Sequence, residues 1–415
     1  MTAPRYNNPS TMTRRIAITG LGAVSALGVG VEPFWRGLRS GVSGIGPISL
    51  VDPEKLQMKL GAEARDYDAA DHFEAKRLAL LDRFAQFAVV AAREAVADAG
   101  FALDEASAVE TAVVIGTGAG GKTTDDDAFH KLYGVGNPRV HPTVIPRLMA
   151  SAAASQVTMD LGLKGPAFTI SSACASASHA LGQALRMIQH GDAELALAGG
   201  AEACFTLGTL KAWESMRVVS PEACRPFSRG RRGMTLGEGA GVLALEPLEA
   251  AQARGAHIYA ELAGFGMSAD AAHLIQPSVE GAGRAIRNAL RDSGLAPEQI
   301  GYVSAHGTGT DANDVTETKA IRCALGPCAD DVAVSSTKSM HGHALGASGA
   351  LEAIAASLAL DDGVLPPTVG YDEADPACDL DYVPNQAREK EIEAALSNSF
   401  AFGGLNAVLA LRRVG

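Results

Sequence analysis

Cys174 lies in SSACASAS, with no bulky side chain within three residues on either side. An apolar run (FTISS, 168–172) ends there and an Ala-rich helical one begins. A thiol at a helix N-terminus has its thiolate favoured by unpaired amides and the helix dipole, so the setting predicts a nucleophile. Taken alone, a cysteine is more often a small buried hydrophobe. Two histidines in comparable settings reverse that reading. His306 ends the run YVSAH and is followed by GTGT, and His343 lies in KSMHGHALGASGALE, where a strand again gives way to a helix. A thiol with two imidazoles suits covalent catalysis with proton carriers or hydrogen-bond donors beside the nucleophile.

Such junctions require a sheet with helices packed on it. Strands are predicted near 15–19, 112–116, 168–172, 195–200, 241–246, 258–266, 302–306, 332–336, 396–400 and 407–411, alternating with Ala-rich helices as in an α/β protein with mainly parallel sheets. A duplication is visible. FTISSAC leads through ASASHALGQALRMI to two strands, and VAVSSTK leads through HGHALGASGALEAIAASLAL to two more. Both intervening helices are rich in Ala, Gly and Ser, which lets them lie close to neighbours on every side.

The 415 residues, 47% apolar and 20% charged, suit a globular enzyme with a sizeable core. A net charge of −12 argues against nonspecific nucleic-acid binding. The six cysteines show neither metal-ligand spacing nor a secreted-type framework, so a reduced cytoplasmic setting and no metal are expected. No stretch has the length and apolarity of a membrane span. Residues 1–12 read as a flexible tail.

GTGAGGKT (116–123) matches both a phosphate-loop pattern and, through Gly116, Gly118 and Gly121, a dinucleotide pattern. TTDDDAF follows and places three carboxylates where phosphate would sit, and neither the magnesium-binding Asp nor the acidic ribose partner is found. A tight turn lining a pocket is the preferred reading.

Taken together, RRIAITGLGAVSALG, GPAFTISSACASASHA, AHGTGTDANDVTE, SSTKSMHGHALGASGALEA and SNSFAFGGLN resemble the elongating β-ketoacyl-acyl-carrier-protein synthases of the thiolase superfamily. The order and spacing of the motifs match from residue 14 to the C-terminus. The resemblance implies a thiolase-like fold of two duplicated α/β halves, 13–256 and 257–415. Each half would hold a mixed five-stranded sheet, in a five-layer α-β-α-β-α arrangement with the small-residue helices in the middle. It also implies a decarboxylating condensation. Cys174 would carry the acyl chain as a thioester, and His306 and His343 would stabilise the enolate formed from a malonyl thioester. The amides of Cys174 and Phe402 would bind the oxyanion of the second step, with Phe402 gating the acyl pocket. Lys338 and Glu352 match a buried ion pair, with Glu352 expected two to three turns into the helix begun by His343. Asp314 and Glu317 would support the His306 loop, and Thr308 and Thr310 would meet a pantetheine arm.

Several positions depart from the housekeeping pattern: Leu405 in AFGGLN, Ile275 and Gln276 in HLIQP, and Arg232 and Met234 in RRGMTLGEGAG. They make the chain more similar to accessory condensing enzymes, including the nodulation type. Gln276 is placed at the pantetheine site, and Ala119 and Thr143 where bulkier residues limit the acyl pocket. No cofactor is implied beyond the phosphopantetheine of an acyl carrier protein. Lys76, Arg77, Lys211 and Arg217 are candidates to receive that acidic partner. A homodimer is implied, with a heterodimer containing a second ketosynthase-like subunit as the alternative. A chain-length-factor-like role is opposed by the presence of Cys174 and both histidines. A thiolase is opposed by Phe402 in the region of its second cysteine, and an initiating synthase by His343.

Overall fold

The computed structural model describes residues 14–414, so the tail expected over 1–12 lies outside them. Among the described residues one continuous sheet has eleven strands, ten of them in two sets of five. In the first half these are β1 (Ile16–Ser25), β2 (Thr111–Gly116), β3 (Ala167–Ile170), β4 (Leu195–Glu202) and β5 (Gly239–Pro247). In the second they are β6 (Ala260–Ala269), β7 (Ile300–Ser304), β8 (Ala333–Ser335), β9 (Ala394–Ala401) and β10 (Leu405–Arg412). Every strand expected from the sequence is present.

The strand order is β8-β7-β9-β10-β6-β1-β5-β4-β2-β3, with a two-residue strand, Gly28–Val29, paired beside β1. In the first half, β3, β2 and β4 run parallel, and β5 and β1 follow antiparallel. The second half repeats this in register, with β8, β7 and β9 parallel and β10 and β6 antiparallel. Only Ala17 opposite Glu261 and Ile18 opposite Ala260 join the halves along the sheet. The sheet is therefore more mixed than the alternating pattern alone indicated, and the duplication is complete at the level of strands.

The helices repeat too. The six that repeat are, in chain order, α1 (Arg83–Ala99), α2 (Ala152–Leu161), α3 (Ser176–His190), α4 (Val279–Ser293), α5 (Asp311–Leu325) and α6 (Ser348–Asp362). α1 and α2 cover the outer face of the first half, and α4 and α5 that of the second. Between the two halves lie α3 and α6. In α6 every residue from Ser348 to Leu360 is buried, the expected pattern for a helix apolar on all sides. The two middle helices touch at Gly349, where an added Cβ would sit 2.2 Å from Ser178 Oγ. The small-residue composition thus permits a contact that any side chain would block.

Candidate active site

Each middle helix is entered through the same device. Ala173 (φ 50°) and Leu345 (φ 46°) adopt left-handed backbone conformations. Each opens a single 3₁₀ turn, Ala173–Ala175 or Leu345–Ala347, before the helix begins at Ser176 or Ser348. A non-glycine residue at positive φ costs energy and persists where its surroundings fix it. The first of these elbows presents Cys174, which is only 6% exposed. The second begins two residues after His343.

His343 Nε2 lies 3.1 Å from Cys174 Sγ, and its Nδ1 is 2.8 Å from Ser348 Oγ. The His306 ring meets that of His343 edge-on, with centroids 5.4 Å apart. His306 is two residues beyond the end of β7, and its position is set by Glu317, whose carboxylate accepts the amides of His306 and Gly307, each at 2.8 Å. Asp314 accepts the amides of Phe227 at 2.7 Å and Gly309 at 3.2 Å. Both carboxylates are fully buried on α5, so they act on the loop's backbone away from solvent.

Lys338, also fully buried, donates to the His306 carbonyl at 2.6 Å, contacts His306 Nδ1 at 3.4 Å and pairs with Glu352. Glu352 lies one turn into α6, not two to three, because residues 343–347 are spent on the elbow and the helix starts at Ser348. Burial pushes the Glu352 carboxyl up to about 7, with Lys338 opposing the shift. Burial, joined by the charge of Lys338, holds both His306 and His343 well below 6.5. The two imidazoles are therefore neutral at physiological pH.

The cysteine differs from expectation. Burial pushes the thiol up to about 12, although Lys338 and the amides of Phe402 and Cys174 favour the thiolate. In a site this enclosed, desolvation outweighs the helix-end contribution. These are the two amides that the resemblance assigns to the oxyanion.

Cys174, His306, His343, Phe402, Thr308, Thr310 and Gln276 all line one cleft of about 230 Å³, with Met234, Leu274 and Ile275. Thr308 and Thr310 hydroxyls are 2.9 Å apart, and Thr310 also caps α5. Phe402 packs against Trp213, ring centroids 6.1 Å apart. Ala119 and Thr143 stand outside the cleft lining. Ala119 belongs to a turn bonded to Glu202, and Thr143 precedes the short helix Val144–Leu148, its hydroxyl on His141. Leu405 is 37% exposed at the start of β10, and Arg232 pairs with Glu222 at 2.9 Å. Lys76, Lys211 and Arg217 are exposed, Arg77 is half-buried, and Lys211 pairs with Glu214 at 2.9 Å.

The glycine turn after β2 does not leave its amides free for phosphate. Gly118 and Ala119 donate to Glu202, at 2.7 and 3.1 Å, so an internal carboxylate fills the position that Asp125–Asp127 were expected to block. Among the described residues, one group has metal-holding spacing: Cys174, His306 and His343, with ligand atoms within 4.8 Å of one another. The Lys338 ammonium against His306 opposes a second cation there. No described helix is long and apolar enough to cross a membrane. Sequence reasoning missed Glu202 and Ser348, the latter findable as the counterpart of Ser176 in the duplication.

Residues 13–251 match the β-ketoacyl synthase N-terminal domain, and residues 259–372 match the β-ketoacyl synthase C-terminal domain. The chain is 48% identical over 403 residues to nodulation protein E of Rhizobium sp. (strain N33), covering 97% of this chain and 100% of that protein. It is 44% identical over 408 residues to 3-oxoacyl-(acyl-carrier-protein) synthase 2 of Synechocystis sp., covering 96% and 98% of the two chains. Among solved structures, the ishigamide ketosynthase/chain length factor superposes with a TM-score of 0.93 at 39% identity, covering 97% of this chain and 100% of that one. The nodulation-type likeness read from the departures is borne out by the first of these relatives.

Proposed function

The chain belongs to the β-ketoacyl synthase family, and on that premise we propose the residue roles by which it carries out condensation in fatty-acid or polyketide chain elongation. It is an acyl-transferring ketosynthase. The observation that supports the roles most directly is the 3.1 Å contact between Cys174 Sγ and His343 Nε2, inside a cleft whose wall also carries His306 and Phe402.

In the first half-reaction Cys174 attacks the thioester of an acyl chain held on a carrier's phosphopantetheine. His343 Nε2 takes the thiol proton and returns it to the departing pantetheine sulfur, which leaves as a thiol. With the thiol's own pKa so high, attack coupled to proton transfer suits this site better than a standing thiolate. The amides of Cys174 and Phe402 hold the tetrahedral oxyanion.

In the second half-reaction a malonyl thioester enters, and carbon dioxide departs from its carboxylate. His306 and His343 donate Nε2–H bonds to the carbonyl oxygen that becomes the enolate. The enolate carbon attacks the Cys174 thioester, the new carbon–carbon bond forms, and the cysteine leaves as a thiolate that takes up one proton. Malonyl thioester, acyl-enzyme and a proton thus become β-ketoacyl thioester, carbon dioxide and free enzyme.

Thr308, Thr310 and Gln276 are assigned to the pantetheine arm and Phe402 to the gate, supported by their positions in the cleft. Ala119 and Thr143 remain candidates for the far acyl pocket. An acyl carrier protein is the proposed partner, approaching Lys76, Arg77, Lys211 and Arg217. Self-association is expected, or pairing with a second ketosynthase-like subunit as in the ishigamide complex. A cytoplasmic setting is proposed. The division of the halves is placed between 256 and 257, supported by the two matched segments.

The test is reconstitution: purified protein with acyl- and malonyl-carrier thioesters, products resolved by mass. A β-ketoacyl carrier two carbons longer supports the assignment. A chain that turns over only when a second ketosynthase subunit supplies the cysteine favours the chain-length-factor role.

A further inference from the structure

Glu202 ends β4 with none of its surface exposed, and no step above uses it. Its carboxylate receives four hydrogen bonds, from Gly118 N at 2.7 Å, Ala119 N at 3.1 Å, Thr117 Oγ1 at 3.2 Å and Gly346 N at 2.9 Å. The first three donors belong to the turn after β2, in the first half of the chain. The fourth belongs to the elbow that opens α6, in the second half.

Each of those turns leads to one reacting group. On the first side the Thr117 carbonyl is 3.2 Å from Ser176 Oγ, which also accepts Ser172 N at 2.9 Å and meets the Ala173 carbonyl at 2.6 Å. Those residues frame the elbow of Cys174. On the second side Gly346 is two residues ahead of Ser348, the partner of His343 Nδ1 at 2.8 Å. Nothing between the turns can give way: a Cβ on Gly346 would stand 2.2 Å from Gly118 N and 2.7 Å from Glu202 Oε2.

We propose that Glu202 is a positioning residue for the condensation, a buried carboxylate that clamps the two elbows together and so sets the distance between Cys174 Sγ and His343 Nε2. The proposal rests on the assignment of those two atoms as the reacting pair. Every partner of Glu202 is a donor, so a carboxylate satisfies all four; burial opposes these bonds and pushes the group up to about 7, so the ionised form prevails above neutral pH. A glutamine would aim its own N–H groups at backbone N–H groups and push the turns apart. Displacement of reacting groups by about 1 Å is sufficient to cost on the order of a hundredfold in rate. The same carboxylate places negative charge near Cys174 and raises its proton affinity, so removing it has a second, opposite signature.

The test compares Glu202→Gln with Glu246→Gln. Glu246 is equally buried on β5 but bonded to Thr19 and Arg254, outside the cleft. Condensation kinetics, thermal midpoint and the rate of Cys174 alkylation by iodoacetamide at pH 8 are measured on both and on the unaltered chain. For Glu202→Gln, kcat is expected to fall by about ten- to a hundredfold with KM within about twofold. Alkylation is expected to speed up as the neighbouring charge is lost, while Glu246→Gln loses stability alone. A kcat loss no larger than that of Glu246→Gln, or alkylation slowing in step with condensation, overturns the proposal. Should Glu202→Gln fail to fold, Glu202→Asp, which keeps the charge and shortens the reach, carries the comparison through its kcat. If the unaltered chain alkylates at Cys174 but does not condense, the functional assignment fails and the positioning role falls with it, whereas an unaltered chain that condenses beside an unimpaired Glu202→Gln overturns the clamp alone.

Discussion

Lys338 Nζ lies 2.6 Å from the carbonyl oxygen of His306 and 3.4 Å from that residue's Nδ1. An ammonium can only donate, so His306 Nδ1 keeps its lone pair and the ring proton resides on Nε2, facing the cleft. His343 is held differently. Its Nδ1 meets the hydroxyl of Ser348, which donates or accepts according to how it turns, and either tautomer is open to it. One imidazole is thereby a permanent donor, and the other can take a proton in one half-reaction and donate in the next.

Both rings are expected to stay neutral well below the ordinary histidine range, because burial and the charge of Lys338 each disfavour the imidazolium. NMR spectra of protein labelled in its histidine rings, recorded at pH 5.5, should place His306 and His343 at neutral shifts, assigned by substitution of each. Titration of either ring near 6.5 contradicts the electrostatics described.

Removing His306 by substitution with alanine takes away a fixed oxyanion donor. The decarboxylating step is expected to slow by about a hundred- to a thousandfold, with acylation of Cys174 changed far less. Rapid quench of the two half-reactions separates them. Equal loss in both would place His306 outside the decarboxylation.

With its thiol pushed up to about 12, Cys174 should be slow to alkylate at neutral pH. Between pH 7 and 10 the rate is expected to climb about tenfold per unit, since only the rare thiolate reacts. A plateau reached by pH 8 would mean that the helix end and the amides dominate over burial.

Lys338 and Glu352 are both fully buried, so deleting either partner leaves the other a buried ionisable group with no opposite charge paired to it. Lys338→Met or Glu352→Leu alone should each cost about 3–5 kcal/mol in denaturant unfolding, and the double substitution clearly less than the sum. Additive losses would show that the pair is not coupled. The linkage sign follows from Glu352: its folded-state pKa of about 7 exceeds the unfolded value near 4.5, so its burial disfavours folding progressively as pH rises from 4.5 to 7.

Legibility in the sequence followed the range of the physics. Strands such as LALAGGAE and GVLALE announce themselves through local composition, and two small-residue helices after similar strands revealed the duplication. Cys174, His306 and His343 stood out because reactive groups at strand ends among small residues have few structural uses. Glu202 did not, since a glutamate ending a strand reads as a turn residue until Gly118 and Gly346 are brought to it from separate halves. The burial that raises the Cys174 thiol pKa is hidden in the sequence for a related reason. A helix end is a local feature that sequence displays, and burial by both halves is not.

Condensation by this chain requires Cys174 as the acyl carrier. Incubating the protein with an acyl-loaded carrier protein, then digesting and weighing the peptide that contains Cys174, tests this directly. The predicted result is an added mass equal to the acyl group on Cys174, discharged by malonyl carrier and absent from Cys174→Ala. An unmodified Cys174 peptide, or an adduct on Cys204 or Cys224 in its place, would contradict the account.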